Sequence, residues 1–290
     1  AYKYMHDQTV RLINAGYTQR EIADMVTLPK SLAAYFGVRG YYGDIRHNVK
    51  AIYQFYLGFY DGNPANLNPL APAESARRYL DLIGGADKAV AAGQAAFDKG
   101  DYRWAAEILN HAVFGDPKSA AARELLAKTY EQMGFMAEAA TWRNAYLTGA
   151  QELRSGPPAK GINKAALIDM LLQTPMERFL EAMAGGLDGP AAADKDFRIN
   201  LVLTDLKESY VLWIENAVLH FRKAEPAPDA NATLTLTKGI FVKMVAGTAG
   251  VKDTLMSDDL KVTGSTIDLV RFFGLIEKSD GRFAVVTPRP

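Results

Sequence analysis

An all-helical region followed by an α+β region is the fold class that this sequence predicts, and three observations predict it. Through the first half, apolar residues recur at helical spacing, and one segment repeats itself after thirty-four residues. Residues 154–161, RSGPPAKG, then interrupt regular structure, because Pro-Pro flanked by Gly and Ser continues neither a helix nor a strand. After that break, short runs alternate apolar and polar residues as half-buried strands do.

The totals set outer limits. At 290 residues the chain is long enough for two domains rather than one. Its 49% hydrophobic and 23% charged residues suit a globular protein with sizeable cores. The 33 Lys and Arg are balanced by 33 Asp and Glu, which argues against a polyanionic partner such as nucleic acid. No apolar run reaches the length of a membrane span, and no signal peptide opens the sequence. The lack of Cys excludes disulfides and thiolate metal sites.

The opening stretch AYKYMHDQTVRLINAGYT reads as an amphipathic helix, with Tyr4, Met5, Gln8, Leu12 and Ala15 at helical spacing before Gly16 stops it. It opens without a cap, and Ala1 stands where an initiator Met would, so the chain is expected to begin partway through a larger protein. Thr18 followed by Glu21 forms a capping box. The run E-I-A-x-x-V-x-x-P from Glu21 reads like a DNA-binding helix-turn-helix. The segment that would read bases, residues 29–36, holds one Lys and no Arg, Asn or Gln, so DNA binding is set aside.

Residues 39–69, RGYYGDIRHNVKAIYQFYLGFYDGNPANLNP, are rich in tyrosine and hold one of the four histidines. Asp44 is placed to cap a helix on which Ile45, Val49, Ile52, Tyr56 and Phe59 form an apolar stripe. His47, Ala51, Gln54 and Gly58 run along another face, whose small side chains let something approach the helix backbone. Gly-Asn-Pro then turns the chain.

Further on, residues 100–106 (GDYRWAA) align with residues 134–140 (GFMAEAA), which is the tetratricopeptide period. Ala96, Ala105 and Ala139 permit close helix crossings, and Pro117 is expected in the first turn of the next helix. Two such units cannot form a free-standing solenoid. A homodimer through residues 1–153 is therefore expected.

Beyond the break, helices are expected at 162–172 and 176–185, and strands at 197–204, 210–216, 218–223 and 232–237. In the last strand Ala232, Leu234 and Leu236 share one face. Helices at 239–246 and 251–257, a strand at 259–263 and a helix from the Ser265 cap through Phe272 complete an antiparallel α+β unit. Leu201, Leu203, Leu212 and Leu236 are its expected core.

Chemistry is sparse. His6, His47, His111 and His220 form no HExxH or HxH pair, and no P-loop, GxSxG or dinucleotide fingerprint occurs. His6 and His111 fall on expected helices, and His220 points outward from a strand. No catalytic residue and no metal ligand is assigned in this chain.

The run G-Y-Y-G-x-x-x-H-N-x-K-A-I-Y-x-x-Y-L-G-x-Y-D-G-N-P-A-x-L, Gly40 to Leu67, resembles the dimerisation domain of the metallo-β-lactamase-type alkylsulfatases, which are similar to enzymes that hydrolyse dodecyl sulfate. The resemblance implies three parts: a zinc-binding domain, a helical dimerisation domain and a sterol-carrier-protein-2-like domain. It covers only the second, at residues 1–155, and the third, at residues 162–290. Zinc would then be bound by an N-terminal domain and not by this chain. His47 matches the motif histidine that approaches the ester sulfate, a role that suits a donor of adjustable charge. Phe59 falls where an aromatic residue lies near the substrate, and lacks a hydroxyl if the relatives carry Tyr. The resemblance further implies an alkyl sulfate substrate, hydrolysis to alcohol and sulfate, a homodimer, an apolar groove for the alkyl chain, and a periplasmic or secreted location. The competing reading is a non-enzymatic adaptor that joins a helical scaffold to a lipid-binding module.

Overall fold

The computed structural model describes residues 1–248, 260–278 and 281–289. It divides into two compact units, Ala1–Ala159 with Phe283–Pro290, and Lys160–Arg282. The helix expected at 251–257 and the first residue of the strand expected at 259–263 lie outside the described residues.

The first unit is helical: α1 (Tyr2–Asn14), α2 (Gln19–Met25), α3 (Lys30–Ala33), α4 (Ile45–Leu57), α5 (Pro72–Ile83), α6 (Ala86–Asp98), α7 (Tyr102–Gly115), α8 (Ala120–Met136) and α9 (Ala140–Ser155). The capping box at Thr18 forms on both sides, with the Thr18 N–H donating to Glu21 Oε2 at 2.8 Å. Asp44 caps α4 by accepting from the His47 N–H at 3.1 Å. Met5 and Leu12 of α1, Ile22 and Ala23 of α2, and Val49 and Tyr53 of α4 bury one small core. On α1 the buried polar position is Thr9, whose hydroxyl donates to the Met5 carbonyl at 2.6 Å, and Gln8 lies beside it.

The apolar stripe expected on α4 needs correction. Tyr56 is 51% exposed and Phe59 is 73% exposed. Gly58 adopts φ +74° and ends the helix, so Phe59 lies beyond it and the buried line passes through Tyr53 instead.

The second core, from α5 to α9, is built on alanine, with Ala89, Ala105, Ala112, Ala122 and Ala127 surrounding Leu109 and Leu126. Small residues bring these helices close. A Cβ at Gly93 would lie 2.7 Å from the Leu109 side chain, so even alanine does not fit at that crossing. The thirty-four-residue repeat marks helix pairs but not helix ends. Gly100 turns the chain at φ +76°, whereas Gly134 lies inside α8 against Leu147. The α8 helix therefore runs on, and α9 starts about one turn later than the repeat predicts. Pro117 precedes α8 rather than opening it, because Ser119 takes the cap by accepting from the Ala122 N–H at 3.2 Å.

Glu152 on α9 accepts from the N–H groups of Val285 and Val286 at 2.7 and 2.9 Å, and Val286 packs on the second core. These bonds tie the C-terminal tail to the helical unit.

The second unit carries α10 (Lys164–Gln173), α11 (Met176–Ala184), α12 (Gly189–Ala192), β1 (Phe197–Leu203), β2 (Glu208–Glu215), β3 (Val218–Lys223), β4 (Ala232–Leu236), α13 (Lys238–Ala246), β5 (Lys261–Gly264) and α14 (Thr266–Gly274). The strand order is β3-β2-β1-β4-β5. Every neighbouring pair is antiparallel except β1 with β4, which is parallel, so the sheet is mixed and not purely antiparallel. The long connection from β3 to β4 makes this possible, since a tight hairpin allows only antiparallel pairing. Asn200 on β1 fastens that connection: it accepts from the Ala227 N–H at 2.9 Å and donates to the Ala227 carbonyl at 2.9 Å. Leu201, Leu203, Leu212 and Leu236 are all buried beneath Leu180, Phe241 and Phe272.

Candidate functional site

The segment from Arg39 to the start of α4 is fixed to the start of α9. The Ala140 N–H donates to the Tyr41 carbonyl at 2.7 Å, and the Thr141 hydroxyl donates to the Tyr42 carbonyl at 2.9 Å. Arg39 forms an ion pair with Glu138, and its guanidinium lies 5.2 Å from the centre of the Tyr41 ring. Arg39 thus holds this seam together. A second tie is Asp24, which accepts both Arg103 guanidinium bonds at 3.0 and 3.2 Å. That bond, with the nearby Arg46 and Lys50 charges, holds the Asp24 carboxyl below the usual carboxylate range.

His47 stands at the seam, on the first turn of α4, with an exposed side chain. The half-buried Trp142 on α9 donates its indole N–H to His47 Nδ1 at 3.3 Å, and the two rings meet edge to face. Sequence reasoning missed Trp142. The pair spans ninety-five positions, and no periodicity or spacing rule reaches that far.

Phe59 is not brought to His47. Leu57, the last residue of α4, lies ten positions beyond His47, so roughly 15 Å of helix rise separates the two. Beyond Phe59 the chain turns at Asp61, which accepts from the Asn63 N–H at 3.0 Å and from the Asn66 amide at 2.6 Å. Those bonds lower the Asp61 pKa.

The other histidines stand apart. His6 bridges Tyr56 Oη at 2.8 Å and Asp7 at 3.0 Å. His111 packs 4.4 Å from the Tyr79 ring centre, and burial lowers its pKa. His220 stacks on Trp213, on the sheet face away from the core. Among the described residues, no three His, Cys, Asp or Glu side chains converge to hold a metal ion.

The α+β unit contains a cavity of about 270 Å³ beside β4, α13 and α14. Leu234, Met244, Leu260, Leu269 and Phe273 line it, with Lys278 contributing a charged side chain.

Residues 18–156 match the family described as alkyl sulfatase dimerisation, and residues 164–288 match alkyl sulfatase C-terminal. A linear primary-alkylsulfatase of Pseudomonas sp. is 42% identical over 287 residues, covering 99% of this chain and 43% of the relative. Alkyl/aryl-sulfatase BDS1 of Saccharomyces cerevisiae is 41% identical over 288 residues, covering 99% of this chain and 44% of the relative. The solved structure of the stereoselective inverting sec-alkylsulfatase Pisa1 from Pseudomonas sp. superimposes with a TM-score of 0.87 at 38% identity, over 99% of this chain and 45% of that one. This chain spans less than half the length of the curated relatives just named. It belongs to the alkylsulfatase family, carrying that family's dimerisation region followed by its C-terminal region.

Proposed function

We propose that this chain forms the dimerisation and substrate-binding portion of a zinc-dependent alkylsulfatase that converts alkyl sulfate esters to alcohol and inorganic sulfate. The observation that carries this reading is the 42% identity to a linear primary-alkylsulfatase along 99% of the chain. In this reading His47 contacts the ester sulfate, and Phe59 lies along the substrate's apolar part. The helical unit forms a homodimer, and the apolar cavity of the α+β unit receives an alkyl chain. The described residues offer no metal-binding set, so they do not fit zinc. Zinc would be held by a metal-binding domain that precedes this region in the longer enzyme. The resemblance to the family also points to a periplasmic or secreted setting, which cell fractionation checks.

The deciding experiment incubates the longer, zinc-loaded protein with dodecyl sulfate and measures sulfate and alcohol together. Equimolar release supports the reading, and a zinc-loaded, folded protein that releases neither sinks it. The cavity favours one second reading, a lipid-binding module without hydrolytic function. Binding that tightens with chain length, with no turnover, would select that alternative.

A further inference from the structure

The contact between Trp142 and His47 carries a chemical consequence. An indole N–H only donates, so a ring nitrogen 3.3 Å away that receives it carries no proton. The neutral His47 ring must then hold its proton on Nε2. Among the described residues Nε2 has no hydrogen-bond partner, and the side chain is exposed. The indole is held independently of His47: Ala140 and Thr141, just before it, are bonded to the Tyr41 and Tyr42 carbonyls. Its ring also meets Tyr146 edge to face, with centres 6.4 Å apart.

We propose that Trp142 is a positioning residue that fixes His47 in the Nε2–H form, so that a donor is presented to the sulfate oxygens of the substrate. The inference rests on the reading of His47 as the sulfate contact. Sulfate oxygens accept hydrogen bonds and donate none, so the other tautomer would turn a bare nitrogen toward an anion. The same hydrogen bond fixes the orientation of the ring, with the Nε2–H donor facing outward.

Two replacements of Trp142 separate the hydrogen bond from packing. Trp142→Phe removes the donor and part of the ring. Incorporation of benzothienylalanine at that position replaces N–H by sulfur and keeps the ring shape. Nitrogen-15 labelling of histidine in the 290-residue chain gives four ring systems, and His47→Gln assigns the one of interest. The expected spectrum shows a single Nε2–H form for His47, and a mixture of tautomers in both replacements. In the longer, zinc-loaded enzyme, both replacements should lower kcat about tenfold with KM little changed, as loss of one orienting hydrogen bond does. An Nδ1–H form in the unmodified chain, or the same single form in the benzothienyl variant, overturns the proposal. If that happens while His47→Ala cripples turnover, only the role of Trp142 falls. If His47→Ala leaves turnover intact, the sulfate reading fails and the proposal fails with it.

Discussion

The two units treat their aromatic residues in opposite ways. In the α+β unit Tyr210, Phe241 and Phe272 are fully buried, and no aromatic side chain among the described residues is strongly exposed. The helical unit exposes many, including Tyr2 and Phe55 at 82%, Tyr42 at 81% and Phe36 and Phe59 at 73%. A twisted sheet covered by helices encloses one core, whereas the small core shared by α1, α2 and α4 leaves rings such as Tyr2, Phe55 and Phe59 uncovered. Aromatic residues concentrated on an exposed surface are the composition of an interface rather than of a solvated face. In the proposed homodimer the partner would cover these rings, whereas the α+β unit encloses its own aromatic residues within one core.

The largest expected effect tests that enclosed core. Phe272→Ala removes a ring that packs against Phe197 and Phe273, and should destabilise the α+β unit by about 3–5 kcal/mol. Denaturant titration measures it, and a loss below about 1 kcal/mol would show that this core is loosely packed.

Next in size is a functional contrast. His47→Ala on the exposed face of α4 should lower kcat by about 10²–10³ in the longer enzyme, as loss of one preorganised donor does. Zinc content and melting temperature should not change. A depressed melting temperature with kcat intact would assign His47 to packing instead.

A third effect concerns the exposed surface. Phe55→Ser should weaken self-association by about 1–2 kcal/mol while leaving the stability of the monomer nearly unchanged. Sedimentation at several concentrations measures the first, and unfolding at low concentration the second. A chain that is monomeric at every concentration before mutation would undo the contrast drawn between the units.

The smallest effect depends on pH. Burial lowers the His111 pKa from its usual 6.5, so the folded protein keeps this ring neutral where the unfolded chain protonates it. Stability is thus complete above pH 6.5 and falls as the pH drops through 6.5 toward the lower folded value. The ring is only partly buried, so the loss should be the smallest of these effects. His111→Leu should flatten that part of the stability profile, and an unchanged slope between pH 7 and 5 would assign the dependence to other groups.

The sequence by itself determined what is local. Thr18, Asp44 and Ser265 mark helix starts because a cap needs only an oxygen and an amide three residues on. Ala232, Leu234 and Leu236 share a buried face because strand side chains alternate whatever lies next to them. The same local rules separated a helical region from an α+β region, and the motif around His47 was readable as a continuous run. Only the tertiary structure decided what depends on segments far apart. It placed β4 parallel to β1, returned the C-terminal tail to Glu152, and set Trp142 against His47. It also turned Phe59 off the end of α4, where periodicity had kept it on the helix. Periodicity and capping act over a few residues, whereas these arrangements follow from loop paths and from which surfaces exclude water together, and a spacing rule carries neither.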